Sequence, residues 1–115
     1  MANTFKNASI KSVSHSGFVE LYTCPSATTA IILGLAITNK TNNSVTVSVQ
    51  FIDSSASGSA ADKERLLLNE VSIPANTTLE VLSGQKYVME TTDILKVKAG
   101  TTTSLDAVLG LMQIT

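Results

Sequence analysis

The chain has 115 residues, a formal net charge of −1 at pH 7 and a mean hydropathy of +0.25. This length fits a single domain, residues 1–115, that can bury a hydrophobic core without disulfides or a structural metal. The eight basic residues are scattered and offset by nine acidic ones, so the charge gives no reason to expect nucleic-acid binding.

The composition narrows the class of protein further. About a quarter of the residues are Ser or Thr, only 15% are charged and Trp is absent, so we expect an aliphatic core under a hydroxyl-rich surface. Such surfaces are common in extracellular and virion β-proteins. The sequence has no apolar run long enough for a signal peptide or a membrane span. We therefore expect a chain made in a cytoplasm, with no membrane partner.

Two strands are predicted near the amino terminus. Residues 1–12 are a possible N-terminal arm, within which the segment from Phe5 to Val13 alternates weakly and is assigned as a strand. A second short strand is predicted from Phe18 to Thr23. It ends before Pro25, which cannot donate a hydrogen bond to a neighbouring strand.

The most regular alternation lies between Thr29 and Ile52, and it predicts a β-hairpin with a turn at residues 39–43. Its core-facing residues are predicted to be Ile31, Leu33, Leu35 and Ile37, followed by Val45, Val47, Val49 and Phe51. The solvent face of the second strand is predicted to hold Ser44, Thr46, Ser48 and Gln50. The outer face of the first strand holds small or apolar residues that would let a neighbouring chain approach closely: Ala30, Ile32, Gly34 and Ala36.

The second half of the chain predicts a loop and several short strands. Residues 53–62 form the loop, and residues 65–69 form a strand whose three leucines, with Leu67 in the middle, suggest contacts on both faces or at an interface. Further short strands are predicted around Leu79 and at residues 86–90 and 94–98, with turns at residues 74–77, 83–84 and 91–93. Residues 100–104 are predicted to form the tip of a hairpin.

The last strand, residues 105–114, is apolar on both faces. Leu105, Ala107, Leu109 and Leu111 occupy one face, and Val108, Met112 and Ile114 occupy the other. A half-exposed strand should be polar on its second face. Two interpretations stay open at this point: a central strand covered by loops, or a strand whose second face packs against another subunit.

These segments give eight or nine short strands at a spacing of roughly 8–12 residues, which is typical of a sandwich or a small barrel. We predict an all-β fold, an antiparallel β-sandwich of jelly-roll-like type.

No catalytic or metal-binding constellation can be assembled from the sequence. His15 is the only histidine and lies in a polar turn, and Cys24 is the only cysteine. Cys24 is interpreted as a small buried hydrophobe, with a reactive or intermolecular thiol as the alternative. Asp93 is expected to cap a turn. We therefore expect no enzyme, no cofactor and no metal.

Three short motifs stand in an order that resembles small virion structural proteins of tailed bacteriophages, particularly marine ones. They are Tyr22-Thr23-Cys24-Pro25 before a long aliphatic strand, Ile73-Pro74-Ala75 before a short apolar strand, and Ile114-Thr115 at the end of a Leu-rich strand. The resemblance covers residues 18–115. Typical relatives carry Gly-Asp where this chain has Thr92-Asp93, which changes the turn and not the topology. The resemblance implies a β-sandwich that decorates a capsid or lies in a neck or tail.

On this basis the sequence predicts a capsid decoration protein that binds the shell as a symmetric homo-oligomer, a trimer being the first expectation. Its partners would be copies of itself and the major capsid protein or other virion proteins, and its location the virion. The candidate interface residues are Phe5, Leu67, Val108, Met112 and Ile114. The alternatives are a neck, tail or fibre component of the same particle, and a carbohydrate-binding or adhesin module.

Overall fold

A computed structural model describes residues 3–82 and 85–115. These residues form nine β-strands and one short 3₁₀ turn (Ala61–Lys63), with no α-helix among them. The strands are β1 (Asn3–Ile10), β2 (Val19–Thr23), β3 (Thr29–Asn39), β4 (Val45–Ile52), β5 (Glu64–Ile73), β6 (Thr78–Glu80), β7 (Tyr87–Met89), β8 (Ile94–Ala99) and β9 (Leu105–Ile114). The predicted all-β class and strand number are confirmed. The turn predicted at residues 83–84 lies outside the described residues.

The strands form two antiparallel sheets. The first sheet has the order β1-β9-β3-β6, and β7 also pairs with β3; the second sheet has the order β2-β8-β4-β5. The chain therefore passes from one sheet to the other at six of its eight connections, and only β4–β5 and β6–β7 follow each other within a sheet. This arrangement, a five-stranded layer and a four-stranded layer with most sequence neighbours placed in opposite layers, is that of a jelly roll. The predicted jelly-roll-like sandwich is confirmed.

The hairpin predicted between Thr29 and Ile52 is wrong. β3 pairs with β9, β6 and β7, whereas β4 pairs with β5 and β8, so residues 40–44 cross from one sheet to the other. The hairpin tip predicted at residues 100–104 is wrong for the same reason, because β8 and β9 also lie in different sheets. Alternation defines the apolar face of each strand but not its partner. The apolar faces of β3 and β4 meet across the core instead of lying side by side in one sheet.

A bulge in β3 changes which of its residues face the core. The pairing of β3 with β9 shifts between Ile32 and Gly34, so Leu33 is an extra residue and the alternation reverses there. The fully buried apolar residues of β3 are Ala30, Ile32, Leu35 and Ile37. The prediction that Leu35 and Ile37 face the core is therefore confirmed. The same prediction for Ile31 and Leu33 is wrong, because Ile31 is half-buried and Leu33 is exposed.

The core lies between the two sheets and is aliphatic. The first sheet contributes the predicted inward face of β9, which is confirmed, and the second sheet contributes mainly valines. Large contributors with at most 3% exposure include Leu35, Ile37, Leu105, Leu109 and Leu111 from the first sheet and Val47, Val49, Ile73, Leu95 and Val97 from the second. Burying side chains of this size stabilises the fold by about 1.5–3 kcal/mol each.

Two polar contacts tie distant segments together. The side-chain amide of Gln113 in β9 donates to the hydroxyl of Tyr22 in β2 at 2.6 Å, joining the sheets. The buried carboxylate of Asp93 accepts hydrogen bonds from the backbone N–H of Glu90 at 2.9 Å and of Ser54 at 3.0 Å. Asp93 thus caps its turn, as predicted, and also anchors the start of the 53–62 loop.

β1 is an edge strand that runs antiparallel to β9 along its whole length. Asn3 lies opposite Ile114 and Ile10 lies opposite Ala107. Residues 3–10 of the expected N-terminal arm therefore belong to the first sheet in this structure.

Candidate interaction surfaces

One rung of the first sheet carries apolar side chains on its outer face. Phe5 lies opposite Met112, Met112 opposite Ile31, and Ile31 opposite Val88, so the row crosses β1, β9, β3 and β7. Directly opposite residues share a face and lie about 5 Å apart. Phe5 is 74% exposed and Val88 57% exposed. We call this row, together with Val108 and Ile114 on the same side of β9, the apolar face.

The middle of the apolar face is flat. Gly34 lies opposite Gly110 on the rung next to the row, and a Cβ atom added at Gly34 would lie 3.5 Å from the Glu80 carboxylate. A Cβ atom added at Gly110 would meet nothing within 4 Å. Ala36 lies opposite Val108, which is 53% exposed. None of these residues carries a charge, but the Glu80 carboxylate lies beside Gly34 at the β6 edge of the face.

The structure brings together four of the five predicted interface residues. Phe5, Val108, Met112 and Ile114 all lie on the apolar face. Leu67 does not, because it lies on β5 in the second sheet and packs, half-buried, against the core. Two other expectations are corrected: the bulge in β3 turns Ala30 and Ile32 inward, so the outer face of that strand holds Ile31 in their place.

The outer face of the second sheet carries a groove of about 370 Å³. Its floor is Ser48 and Gln50 of the central strand β4. One wall comes from the β2 and β8 side and holds Phe18 and Lys98, and the other comes from β5 and the preceding turn and holds Ala61, Glu64, Leu66, Asn69 and Glu70. The groove is therefore mainly polar, with an apolar side chain at each side.

A distorted stretch of β5 shapes this groove. The pairing of β5 with β4 shifts twice between Val47 and Gln50. Glu70 adopts a positive φ of 50°, which is uncommon for residues other than glycine, and its N–H donates to Ser48 Oγ at 3.0 Å. Ser48 and Gln50 therefore lie on the outer face of β4, as predicted, but each is only 7% exposed because it forms the floor of the groove.

Charge is also organised around the groove. The Lys98 ammonium lies 5.8 Å from the centre of the Phe18 ring, within reach of a cation–π interaction. Glu64 and Glu70 stand on the opposite wall. The groove therefore offers cationic and anionic hydrogen-bonding groups on facing sides.

Within residues 3–82 and 85–115 there is no group of three or more His, Cys, Asp or Glu side chains that could hold a metal ion. His15 is exposed, as expected. Cys24 is 1% exposed, and its Sγ donates to the carbonyl oxygen of Thr28 at 3.2 Å. Burial raises the pKa of this thiol. Cys24 is thus a buried structural side chain.

The groove and part of the apolar face were not predicted from the sequence. Ile31 was assigned to the core because the bulge at Leu33 was not anticipated, although a glycine inside a strand, here Gly34, often marks a bulge. The groove depends on the double register shift of β5, for which the sequence carries no comparable signal.

None of the helical segments in the described part of the chain is long and apolar enough to cross a membrane.

No protein-family model matches the sequence, and no curated protein is significantly similar to it. Solved structures nevertheless share the fold. A chain from Bacillus endospore appendages, described as disulfide-linked pili, has a TM-score of 0.53 at 9% identity, covering 98% of this chain and 88% of that one.

Two viral structures are similar to the same degree. A chain of the infectious bursal disease virus particle has a TM-score of 0.52 at 9% identity, covering 96% of this chain but only 30% of that one. A chain of the acid-stable capsid of Helicobacter pylori bacteriophage KHP30 has a TM-score of 0.50 at 13% identity, covering 99% of this chain and 89% of that one. At these identities the likeness is one of fold.

Proposed function

We propose that this chain is a structural protein of a bacteriophage virion, and specifically a capsid decoration protein that binds the shell as a symmetric oligomer. The observation that carries the proposal is the apolar face. Phe5, Val88 and Val108 are each more than half exposed on one side of one sheet. Contiguous exposed apolar surface of this kind is uncommon on monomeric soluble proteins and usually marks an interface.

The fold supports the same role. A jelly roll presents two broad sheet faces and is used in viral capsid domains. The similar solved structures include a bacteriophage capsid chain matched over 99% of this chain. They also include a pilus subunit, which likewise works by assembly. The role proposed here is therefore binding, without a chemical reaction.

The energetics favour burial of the apolar face against protein. Each Å² of apolar surface removed from water contributes about 25 cal/mol, and a stable interface buries about 800 Å² per partner. A closed oligomer repeats the same contact around a symmetry axis. We take a trimer as the expected oligomer, with the major capsid protein or another virion protein covering what the oligomer leaves exposed.

The test places a charge in the apolar row. Met112→Asp puts a carboxylate beside Phe5 and Ile31, and Thr102→Asp puts the same charge on an exposed loop as the control. We expect the unchanged chain and the control to sediment as oligomers and Met112→Asp to sediment as a folded monomer. A monomeric unchanged chain, or a Met112→Asp variant that still assembles, would refute the proposal.

The position in the particle is tested separately by the number of copies of this chain in purified virions. Copies in the hundreds are expected for a shell decoration protein. About six or twelve copies, the numbers set by the symmetry of a neck or tail, would replace decoration by a neck, tail or fibre role.

A further inference from the structure

The floor of the groove on the second sheet holds a buried amide without a partner. Gln50 is 7% exposed, and its side chain makes no hydrogen bond with any group in residues 3–82 and 85–115. No polar side-chain atom of the described residues is sealed from solvent without a partner. The small exposed fraction of the Gln50 amide therefore opens into the groove that it lines.

In the free protein only solvent that enters the groove can satisfy this amide, because each of its atoms without a protein partner retains some exposure. A primary amide has two N–H donors and a carbonyl acceptor, all of which a ligand in the groove could engage. Groups of this kind are nearly always paired in folded proteins, and an exception calls for an explanation. A ligand that supplies both donors and acceptors would satisfy the Gln50 amide.

Other hydrogen-bonding groups converge on the same space. Ser48 Oγ accepts the N–H of Glu70 at 3.0 Å, which leaves the hydroxyl proton of Ser48 available to donate. The carboxylate of Glu70 and the ammonium of Lys98 stand on facing walls. The groove thus presents donors and acceptors together, which suits a ligand whose groups do both.

From this chemistry we infer that the groove binds a saccharide. A sugar hydroxyl both donates and accepts, which matches Gln50 and Ser48, and the C–H faces of a sugar ring match the apolar side chains at the sides of the groove. Those side chains are Phe18 and Leu66, and Leu66 is 54% exposed. A groove of about 370 Å³ is at the small end of the range for ligand sites.

The sheet geometry argues against an extended peptide as the ligand. An added peptide strand gains affinity from the free backbone edge of a sheet. The floor strand β4 is paired on both sides, with β5 and β8, so its backbone groups are already used. A peptide would find only the side chains of the groove. This inference stands on the second sheet and does not depend on the virion role proposed above.

The test is an NMR titration of the full chain, labelled with ¹⁵N, with hexasaccharides built from glucose, galactose or N-acetylglucosamine. We expect at least one of them to shift the side-chain amide resonances of Gln50. Gln50→Met keeps the size of the side chain but removes the amide, and it should weaken binding about tenfold without lowering the melting temperature. Gln85→Met, the same change at an exposed glutamine, should bind as the unchanged chain does.

Three results would overturn the inference. The first is that none of the hexasaccharides shifts the Gln50 amide resonances. The second is that Gln50→Met binds the hexasaccharide as tightly as the unchanged chain does. The third is that a synthetic peptide of residues 1–12 shifts the Gln50 amide resonances when the hexasaccharides do not, which would make the groove a protein-docking site.

Discussion

The side-chain amide of Asn39 at the end of β3 donates to the backbone carbonyl oxygen of Ile73 at the end of β5, with an N–O distance of 3.0 Å. Asn39 is fully buried. Its Nδ2 also donates to the carbonyl oxygen of Asn43 at 2.8 Å, and its Oδ1 accepts the N–H of Thr41 at 2.9 Å. One side chain therefore joins the two sheets and holds the crossover between them.

Replacing this side chain should be costly. Asn39→Leu has a similar volume but removes the buried hydrogen bond to the Ile73 carbonyl and the part-buried acceptor of the Thr41 N–H, so we expect a loss of about 2–4 kcal/mol of unfolding free energy. Urea denaturation measures it. Asn42→Leu, at an exposed asparagine in the same crossover, should change stability by no more than about 0.5 kcal/mol. Equal effects of the two variants would contradict the bridging role of Asn39.

Asp106 should make stability depend on pH. The N–H of Ser12 at 2.8 Å, and then the ammonium of Lys40 at 2.9 Å, hold the pKa of Asp106 below its ordinary value. A carboxyl whose pKa is lower in the folded state stabilises fully above its unfolded pKa of about 4, and that stabilisation is lost as the pH falls through the folded value.

The side chain of Asp106 is 41% exposed, so solvent screening limits this contribution to under about 1 kcal/mol. Asp106→Asn should lower the urea midpoint at pH 7, and the difference from the unchanged chain should shrink towards pH 2. A difference that stays constant over this range would mean that the carboxylate charge contributes nothing.

Cys24 should be unreactive in the folded protein. Burial raises the pKa of its thiol and blocks access, and the thiolate is the reactive form. At pH 8 we expect a thiol reagent such as a disulfide dye to label the native chain far more slowly than the chain in 8 M urea, about 10²-fold or more. Equal rates would show that the pocket around Cys24 opens readily.

Two glycines should respond in opposite ways to the same substitution. A Cβ atom at Gly100 would collide with the side chain of Thr46. The backbone carbonyl oxygen of Thr46 also accepts the N–H of Gly100, which keeps the two residues close. Gly100→Ala should therefore cost about 1–3 kcal/mol. In one isolated chain Gly110 faces open space, so in the monomeric Met112→Asp background Gly110→Ala should be neutral or stabilise by up to about 1 kcal/mol. Thermal melts of the two variants measure the contrast.

The position of the strands could be predicted from the sequence, but their partners could not. The apolar stretches located β3 and β9, alternation of apolar and polar residues located β4, and the inward face of β9 was identified correctly. The same alternation is satisfied whether two strands lie side by side or face each other across a core. That ambiguity produced the false hairpin, and only the long-range pairing of β3 with β9 resolves it.

The candidate sites were predictable in the same partial way. The doubly apolar pattern of β9 pointed to Val108, Met112 and Ile114 as candidate interface residues, and the structure places Phe5 beside them. Val88 could not be assigned, because its exposure follows from the pairing of β7 with Ile31. The groove could not be foreseen, because it is made by an irregular strand and not by a motif.

The pairing of Asn3 with Ile114 places both described ends of the chain side by side at one corner of the first sheet. A tag or cargo fused before β1 and one fused after β9 would therefore leave the molecule at the same place, next to Ile114 of the apolar face. Labels for imaging or display are better inserted at the loop of residues 101–103, away from that corner.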